Sequence, residues 1–311
     1  MKTILIAYDG SDCSEAIITE LGGAGLPSKL EAHVVAVAEV WTAPSDNPEG
    51  WAAVPTMPPA VPSAQAHTAQ AMQDASVLAE QGAARLKAAF PQWRVGWRVE
   101  SSGYVGSPAR AIVQRAQEVS ADVIFIGSHS RSASSRLFLG SVSQKVAAEA
   151  KCSVRICRPR LPSEAALRLV VAVDGSLPSQ AAVRAVAERA WPAGTMVAAV
   201  TVIEPSLRAA PAEIPGTHSV EWLRQRDWML DWIEAVATAA QRQLELAGLV
   251  PKRHTLEGEP KHTLLEWAEN WNADCLFVGA SGLQHPATDT LGTVASALAV
   301  RAHCSVEIVR P

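Results

Sequence analysis

The segment Gly127–Ser143, GSHSRSASSRLFLGSVS, is the most informative part of the sequence for the architecture of the chain. It follows the apolar run 121–126 and leads into a helix-like segment over 141–150, which gives the order strand, polar loop, helix start. Backbone N–H groups at such a helix start are unpaired, and the helix dipole favours an anion there. The residues of the loop that suit an anion by small size, hydroxyl or positive charge are Gly127, Gly140, Ser141, Ser143, Arg131 and Arg136.

A second stretch, Gly279–Ala295, repeats this pattern as GASGLQHPATDTLGTVA. It keeps the first glycine, the distance to Gly292, and a hydroxyl residue, Thr293, directly after it. A plain connector between a strand and a helix is the alternative interpretation, and the recurrence argues against it. The sequence therefore predicts two phosphate-binding loops in one chain.

The repetition extends over most of the 311 residues, a length that suits two domains. Thr3–Ser11 matches Arg168–Ser176 at an offset of 165, and later segments match at an offset of 152. The chain is expected to divide into a first domain over 1–159, with a Pro-rich loop at 42–62, a linker over 160–167, and a second domain over 168–311. The last strands of the two copies, 152–157 and 304–308, are expected to pair, because pairing covers two edges that otherwise promote aggregation.

Apolar strand-like runs alternate with amphipathic helical runs in each copy. In the first copy the predicted strands lie near 2–8, 32–40, 94–101, 122–127 and 153–158, and the predicted helices near 11–23, 66–89, 106–119 and 141–150. This alternation predicts an α/β fold of two tandem doubly wound domains, each a five-stranded parallel sheet flanked by helices. Such sheets bind ligands at the carboxyl ends of their strands, where Asp9 and Gly127 both fall.

Composition narrows the class of protein. The net charge of −4 shows no basic excess, so nucleic-acid binding is not expected. No apolar run is long enough for a signal peptide or a membrane span, so a membrane location is not expected either. The five cysteines form no CxxC pair, which is typical of reduced, mostly buried thiols. We expect a cytoplasmic protein.

Several of these residues together resemble the universal stress protein family. The resemblance rests on Asp9 after the first strand, on Gly106-Ser-Pro108 opening a helix, and on Gly-x2-Gly-x9-Gly-Ser/Thr after the fourth strand. The second copy has this last pattern complete, as Gly279, Gly282, Gly292 and Thr293, whereas Ser130 replaces the middle glycine in the first copy. The resemblance covers nearly the whole chain and implies the adenine nucleotide alpha hydrolase-like fold.

The resemblance also implies a bound adenine nucleotide, ATP, with or without Mg²⁺. The positions it assigns to nucleotide binding are Asp9, Val37, Gly127, Gly140, Ser141 and Val142 in the first copy, and Asp174, Val202, Gly279, Gly282, Gly292, Thr293 and Val294 in the second. Ser130, Arg131, Arg136 and Ser143 complete the first set from the loop itself. The family also contains members that bind no nucleotide, so a nucleotide-free protein-interaction module is the alternative function.

No motif in the sequence indicates an enzyme. The chain has no GxxxxGK[ST] loop, no SGGxDS loop and no cluster of metal ligands, and no nucleophile stands with a positioned base. A regulatory nucleotide-binding protein is therefore expected, with slow ATP hydrolysis left open. His129 is interpreted as a solvated loop histidine, with a proton carrier as the alternative.

Charge predicts which copy binds more tightly. The first loop has Arg131 and Arg136, whereas the second has neither Lys nor Arg and adds Asp289. Charge-assisted hydrogen bonds of about 1.5–3 kcal/mol outweigh a strain of about 1–2 kcal/mol, if Ser130 adopts a left-handed conformation. We therefore expect ATP in the first copy. Trp228 and Trp232, beside the apolar stripe of a long helix, are expected to be partly exposed and to support self-association or a protein partner.

Overall fold

The computed structural model describes residues 2–40, 62–102, 107–129, 139–159, 165–205, 218–283 and 291–311. The first copy comprises β1 (Lys2–Ala7), α1 (Asp12–Leu21), β2 (Leu30–Glu39), α2 (Pro62–Ala89), β3 (Arg94–Ser102), α3 (Pro108–Glu118), β4 (Val123–Gly127), α4 (Ser141–Glu149) and β5 (Ser153–Cys157). The second comprises β6 (Arg168–Ala172), α5 (Leu177–Ala187), β7 (Met196–Ile203), α6 (His218–Leu246), β8 (Pro251–Glu257), α7 (Pro260–Asn270), β9 (Cys275–Gly279), α8 (Thr293–Arg301) and β10 (Ser305–Val309). Of the Pro-rich loop predicted at 42–62, residues 42–61 lie outside the described residues, and Pro62 begins α2.

The ten strands form one continuous sheet in the order β3-β2-β1-β4-β5-β10-β9-β6-β7-β8. Each half is a five-stranded parallel sheet, and the two halves have the same strand order, 3-2-1-4-5. The central strands are buried along almost their whole length because helices cover both faces of a parallel sheet. The predicted fold class of two tandem doubly wound units is confirmed.

The two copies join through their last strands, as the repeat predicts. Strands β5 and β10 pair antiparallel, with Val154 opposite Ile308, Arg155 opposite Glu307, and Ile156 opposite Val306. Because the two copies match here at an offset of 152, Arg155 faces its own equivalent. A pseudo-two-fold axis therefore passes through the Arg155–Glu307 pair, and we call the β5–β10 contact the seam.

The core is distributed differently on the two faces of the sheet. On one face a single apolar cluster runs across the seam, and it includes Ile124, Ile156, Leu276 and Ile308. On the other face each copy has a cluster of its own, which contains Phe125 in the first copy and Phe277 in the second. The shared cluster makes the copies one packed body, and the gap between the separate clusters leaves room for charged groups at the seam.

Four charged side chains fill that gap. Arg155 and Glu307 are 1% and 0% exposed. The Glu307 carboxylate accepts from Arg155 Nη1 at 3.3 Å and from Arg189 Nη1 at 2.8 Å, and Arg155 Nε also donates to Glu20 Oε1 at 2.7 Å. Burial alone raises the pKa of Glu307, but the charges of Arg189 and Arg155 outweigh it and hold that pKa below its ordinary value. The seam thus contains a largely buried ion network of two arginines and two glutamates, in which Arg189 Nε has no hydrogen-bond partner among the described residues.

The glycine-rich turn after α1 lies at the same seam. Gly25 has φ 64°, and a Cβ there would lie 2.9 Å from the Trp191 ring of the second copy. Its carbonyl oxygen accepts a hydrogen bond from the Ala190 N–H at 3.0 Å. The Gly22–Gly25 run, which resembles a dinucleotide loop in sequence, is therefore a turn that brings the two copies into close contact.

Candidate functional site

Each copy has a cleft at the carboxyl ends of its first, second and fourth strands. The first cleft has a volume of about 210 Å³, and the residues predicted for it that line it are Asp9, Val37, Gly127, Gly140, Ser141, Val142 and Ser143. The second has about 260 Å³ and is lined by Asp174, Val202, Gly279, Gly282, Gly292, Thr293 and Val294. The structure thus brings together every predicted residue that it describes. Ser130, Arg131, Arg136, Gly106 and Asp289 lie outside the described residues.

An Asp-Gly-Ser turn forms one edge of each cleft. In the first copy Asp9 Oδ1 accepts from the Ser11 N–H at 3.0 Å, and Ser11 in turn caps α1. In the second copy Asp174 Oδ1 accepts from the Ser176 N–H at 2.9 Å, and Ser176 caps α5. The glycine between them has a positive φ in both copies. The turn therefore presents each exposed carboxylate at the mouth of its cleft.

The opposite edge is a helix start without a side-chain cap. Helices α4 and α8 begin at Gly140 and Gly292, and no side-chain hydrogen bond caps either of them. In contrast, the helices α1, α3, α5 and α7 are capped by Ser11, Ser107, Ser176 and Glu259. Uncapped first-turn N–H groups at the positive end of a helix suit an anion. Both clefts therefore have one edge whose geometry suits an anion.

The ends of each glycine-rich loop meet at that edge. The Gly140 N–H donates to the Ser128 carbonyl oxygen at 2.7 Å, and the Gly292 N–H donates to that of Ala280 at 2.8 Å. Ser143 is buried, and its hydroxyl donates to the Gly127 carbonyl oxygen at 2.6 Å. Ser143 thus ties the strand end to the helix start, whereas the exposed Ser141 is the hydroxyl free to meet a ligand.

The middle glycine of the second loop lies against the Asp174 carboxylate. Gly282 does not lie in the left-handed region, and a Cβ there would come 2.9 Å from Asp174 Oδ2. The carboxylate would have to move to make room for a side chain at this position. The equivalent Ser130, for which left-handed strain is considered above, lies outside the described residues.

Charged groups differ between the clefts. Among the described lining residues, the second cleft has the carboxylates of Asp174, Glu204 and Glu259 and the ammonium of Lys261. The first has the carboxylates of Asp9 and Glu39 and the imidazole of His129. The described residues contain no group of three or more His, Cys, Asp or Glu side chains placed to hold a metal ion. In the described part of each cleft, an anion would therefore be bound mainly by backbone N–H groups and less by cationic side chains.

His129 is not a solvated loop residue. Its ring is half-buried and lies within 3.6 Å of the Cys13 sulfur and 3.1 Å of the Ser128 hydroxyl. The interpretation as a solvated histidine is therefore wrong. Since Cys13 and His129 are 116 residues apart in the chain, their contact depends on the packing of α1 against the end of β4.

Sequence reasoning missed Tyr8, which lines the first cleft. Its buried ring packs near Gly82 of α2, and its hydroxyl donates to the Glu15 carboxylate. Arg85 of α2 contacts the same carboxylate at 2.5 Å. This chain of contacts ties α2 to the cleft. A comparison of the two copies could have indicated this contact. The equivalents of Tyr8 and Glu15 are Val173 and Gln180, so the pair is specific to the first copy.

Titration of the phenol tests this contact. Burial, together with the hydrogen bond to Glu15, raises the pKa of Tyr8 from 10.0 to about 12. The neutral phenol therefore stabilises the fold fully below pH 10, and this stabilisation is lost as the pH rises towards 12. We expect ultraviolet titration of the two tyrosines to show one ionising near pH 12, and Tyr8→Phe to remove that step. Tyr104→Phe is the control. If the ionisation near pH 12 disappeared in that variant and not in Tyr8→Phe, the assignment to Tyr8 would be contradicted.

Among the described helices, none combines the length and the apolarity needed to cross a membrane.

Comparison with known proteins adds a family match to this geometry. The model of the universal stress protein family matches residues 1–158 and again residues 166–310. A curated relative from Thermus aquaticus, described as a universal stress protein in the QAH/OAS sulfhydrylase 3′ region, is 51% identical over 53 residues. That match covers 17% of this chain and only 39% of the relative.

Two solved structures resemble the whole chain. A universal stress protein from Archaeoglobus fulgidus DSM 4304 aligns with a TM-score of 0.62 and 18% identity, over 99% of this chain and 96% of that one. A functionally unknown protein from Pseudomonas aeruginosa PAO1 aligns with a TM-score of 0.61 and 13% identity, over 100% and 93%. At these identities the likeness shows the fold, including the tandem arrangement.

Proposed function

Because the chain belongs to the universal stress protein family, we propose that it is a stress-response regulatory protein that binds ATP. The observation that carries this proposal is the pair of uncapped helix starts, at Gly140 and Gly292, each facing a cleft with an exposed carboxylate on its other side. Backbone N–H groups at a helix start suit phosphate, and a carboxylate accepts hydrogen bonds from the amino or hydroxyl groups of a nucleoside.

In this proposal the nucleotide spans the first cleft from edge to edge. The adenine lies near Asp9 and Val37, and the phosphates lie at the start of α4 beside Ser141. A Mg²⁺ ion that accompanied the nucleotide would need few protein carboxylates, because Mg²⁺ keeps several of its waters. The chain binds the nucleotide and signals its presence, and ATP turnover is not part of the proposal.

We also propose that the first cleft binds ATP more tightly than the second. Arg131 and Arg136 belong to the first loop, and each charge-assisted hydrogen bond to phosphate contributes about 1.5–3 kcal/mol. The second cleft has three carboxylates against the single ammonium of Lys261 among its described lining residues, an arrangement that repels a triphosphate. The second copy is then weak or empty.

Mass spectrometry of the small molecules released on denaturing the purified protein tests the proposal. We expect an adenine nucleotide at no more than about one equivalent per chain, because a single strong site is proposed. The absence of any nucleotide, together with a stable fold, would favour the nucleotide-free interaction module.

Trp228 carries a second proposal, on self-association or a protein partner. It is 64% exposed on α6, whereas Trp232 is half-buried and its ring lies where a Cβ on Gly175 would clash, at 2.5 Å. Both indoles are thus at least partly exposed, as expected, and Trp228 is the more exposed of the two. An exposed indole is typical of interface residues.

We expect Trp228→Gln to weaken association without loss of the fold, as measured by sedimentation over a range of concentrations. Trp97→Gln, at a residue 40% exposed on β3, is the matched control and should leave the sedimentation of the protein unchanged. Equal sedimentation of the wild type and the Trp228 variant, at every concentration and with cell extract added, would contradict this role.

A further inference from the structure

A cysteine, a histidine and a serine meet behind the first cleft. The Cys13 sulfur lies 3.5 Å from His129 Nε2 and 3.6 Å from both His129 Nδ1 and the Ser128 hydroxyl oxygen. Ser128 and His129 are themselves in contact, at 3.1 Å. Either ring nitrogen is therefore close enough to take the thiol proton.

Two sources of positive potential lie near the sulfur. Cys13 is the second residue of α1, at the positive end of the helix dipole. The guanidinium of Arg158 interacts electrostatically with the same thiol. The neighbouring Asp12 opposes this effect, but its carboxylate is exposed and is screened by water.

Arg158 also interacts with Cys157 and Cys304, but among the contacts between described residues none of the other four cysteines meets a histidine. Burial raises the pKa of Cys152, Cys157, Cys275 and Cys304, the last to about 12. The second copy also lacks the cluster, because Cys13, Ser128 and His129 are replaced there by Pro178, Ala280 and Ser281. The cluster therefore belongs to one copy and is not a requirement of the fold.

We propose that Cys13 is a thiol that reacts with hydrogen peroxide, with His129 as its base. Cys13 is only 1% exposed, which excludes bulky reagents, and the proposal requires a small oxidant to reach the sulfur past His129, which lines the first cleft. The contacts that support this site involve no nucleotide, so the proposal does not rest on ATP binding, and it is tested on the chain free of ATP.

The reaction balances without another component. His129 takes the proton of the Cys13 thiol, and the thiolate sulfur attacks one oxygen of the peroxide. The S–O bond forms as the O–O bond breaks, and the departing hydroxide takes the proton from the imidazolium to become water. The sulfur is oxidised by two electrons to a sulfenic acid, and the peroxide is reduced.

Solvent exposure and chemical reactivity predict different orders of oxidation for the cysteines, so the experiment can distinguish the two. Cys152 is the most exposed of the five thiols, so access alone predicts that it is oxidised first. The folded protein is treated with hydrogen peroxide for increasing times and quenched in denaturant with dimedone, and each cysteine peptide is quantified by mass spectrometry. We expect Cys13 to be the first thiol converted, whereas N-ethylmaleimide, being bulky, should label Cys152 first.

Variants assign the role of the imidazole. We expect His129→Gln to slow oxidation of Cys13 by about a hundredfold, the usual contribution of a general base. The matched control, His303→Gln, changes an exposed histidine and should leave the rate as in the wild type. Oxidation of Cys152 before Cys13, no oxidation of Cys13, or an unchanged rate in the His129 variant would each overturn the proposal.

Discussion

Replacing Glu307 by glutamine is expected to lower the free energy of unfolding by about 3–5 kcal/mol. The carboxylate is fully buried at the seam and accepts from Arg155 and Arg189. An amide of the same size removes the counter-charge of Arg189 and leaves Arg155 paired with Glu20 alone, and a buried unpaired charge is costly. The loss is measured from urea denaturation of the full chain.

The control for Glu307 is a solvent-exposed ion pair of this protein that also joins a glutamate to an arginine. Glu234 contacts Arg253 at 2.6 Å on the surface, with both side chains substantially exposed. Glu234→Gln should cost less than about 1 kcal/mol, since water screens and competes for such a pair. Similar losses in the two variants would show that burial at the seam does not matter.

Replacing Gly140 by valine is expected to remove most of the binding of ATP. A Cβ on Gly140 lies 3.4 Å from His129 Cα and from the Ser128 carbonyl oxygen. The two further carbons of valine then crowd the loop end and cover the uncapped N–H groups of α4. Ligand-induced stabilisation measures the loss, because ATP at a hundred times its dissociation constant stabilises a one-site protein by about 2.7 kcal/mol.

The matched variant is Gly292→Val in the second cleft, where the helix start has the same geometry. It should leave the ATP-induced stabilisation nearly unchanged, because the first cleft is proposed to be the tighter one. The reverse result would place the nucleotide in the second cleft and show that the complete glycine pattern outweighs the charge of Arg131 and Arg136. Unfolding without ATP checks that both variants are folded.

The fold and its symmetry could be predicted because they depend on local and repeated patterns. Buried parallel strands are apolar throughout, so their runs are visible in the sequence. The repeat of these runs at offsets of 165 and 152 predicts two equivalent units, and the last strand of each is an edge that must be covered. The pairing of Arg155 with Glu307 then follows from the register of that contact.

The parts that sequence reasoning missed depend on contacts between distant residues. The contact of Cys13 with His129, and that of Tyr8 and Glu15 with Arg85, join elements far apart in the chain. The closeness of Gly282 to the Asp174 carboxylate is likewise a contact between residues far apart in the chain. The domain boundaries at 1–159, 160–167 and 168–311 stay a prediction.

Isothermal titration of the wild-type chain with ATP measures whether the chain binds this nucleotide and at how many sites. We predict a saturable heat that fits one strong site per chain, and a much weaker response to UTP, whose base differs while its phosphates are the same. No heat at any ATP concentration in a folded protein would contradict the proposed ATP binding and favour the nucleotide-free interaction module.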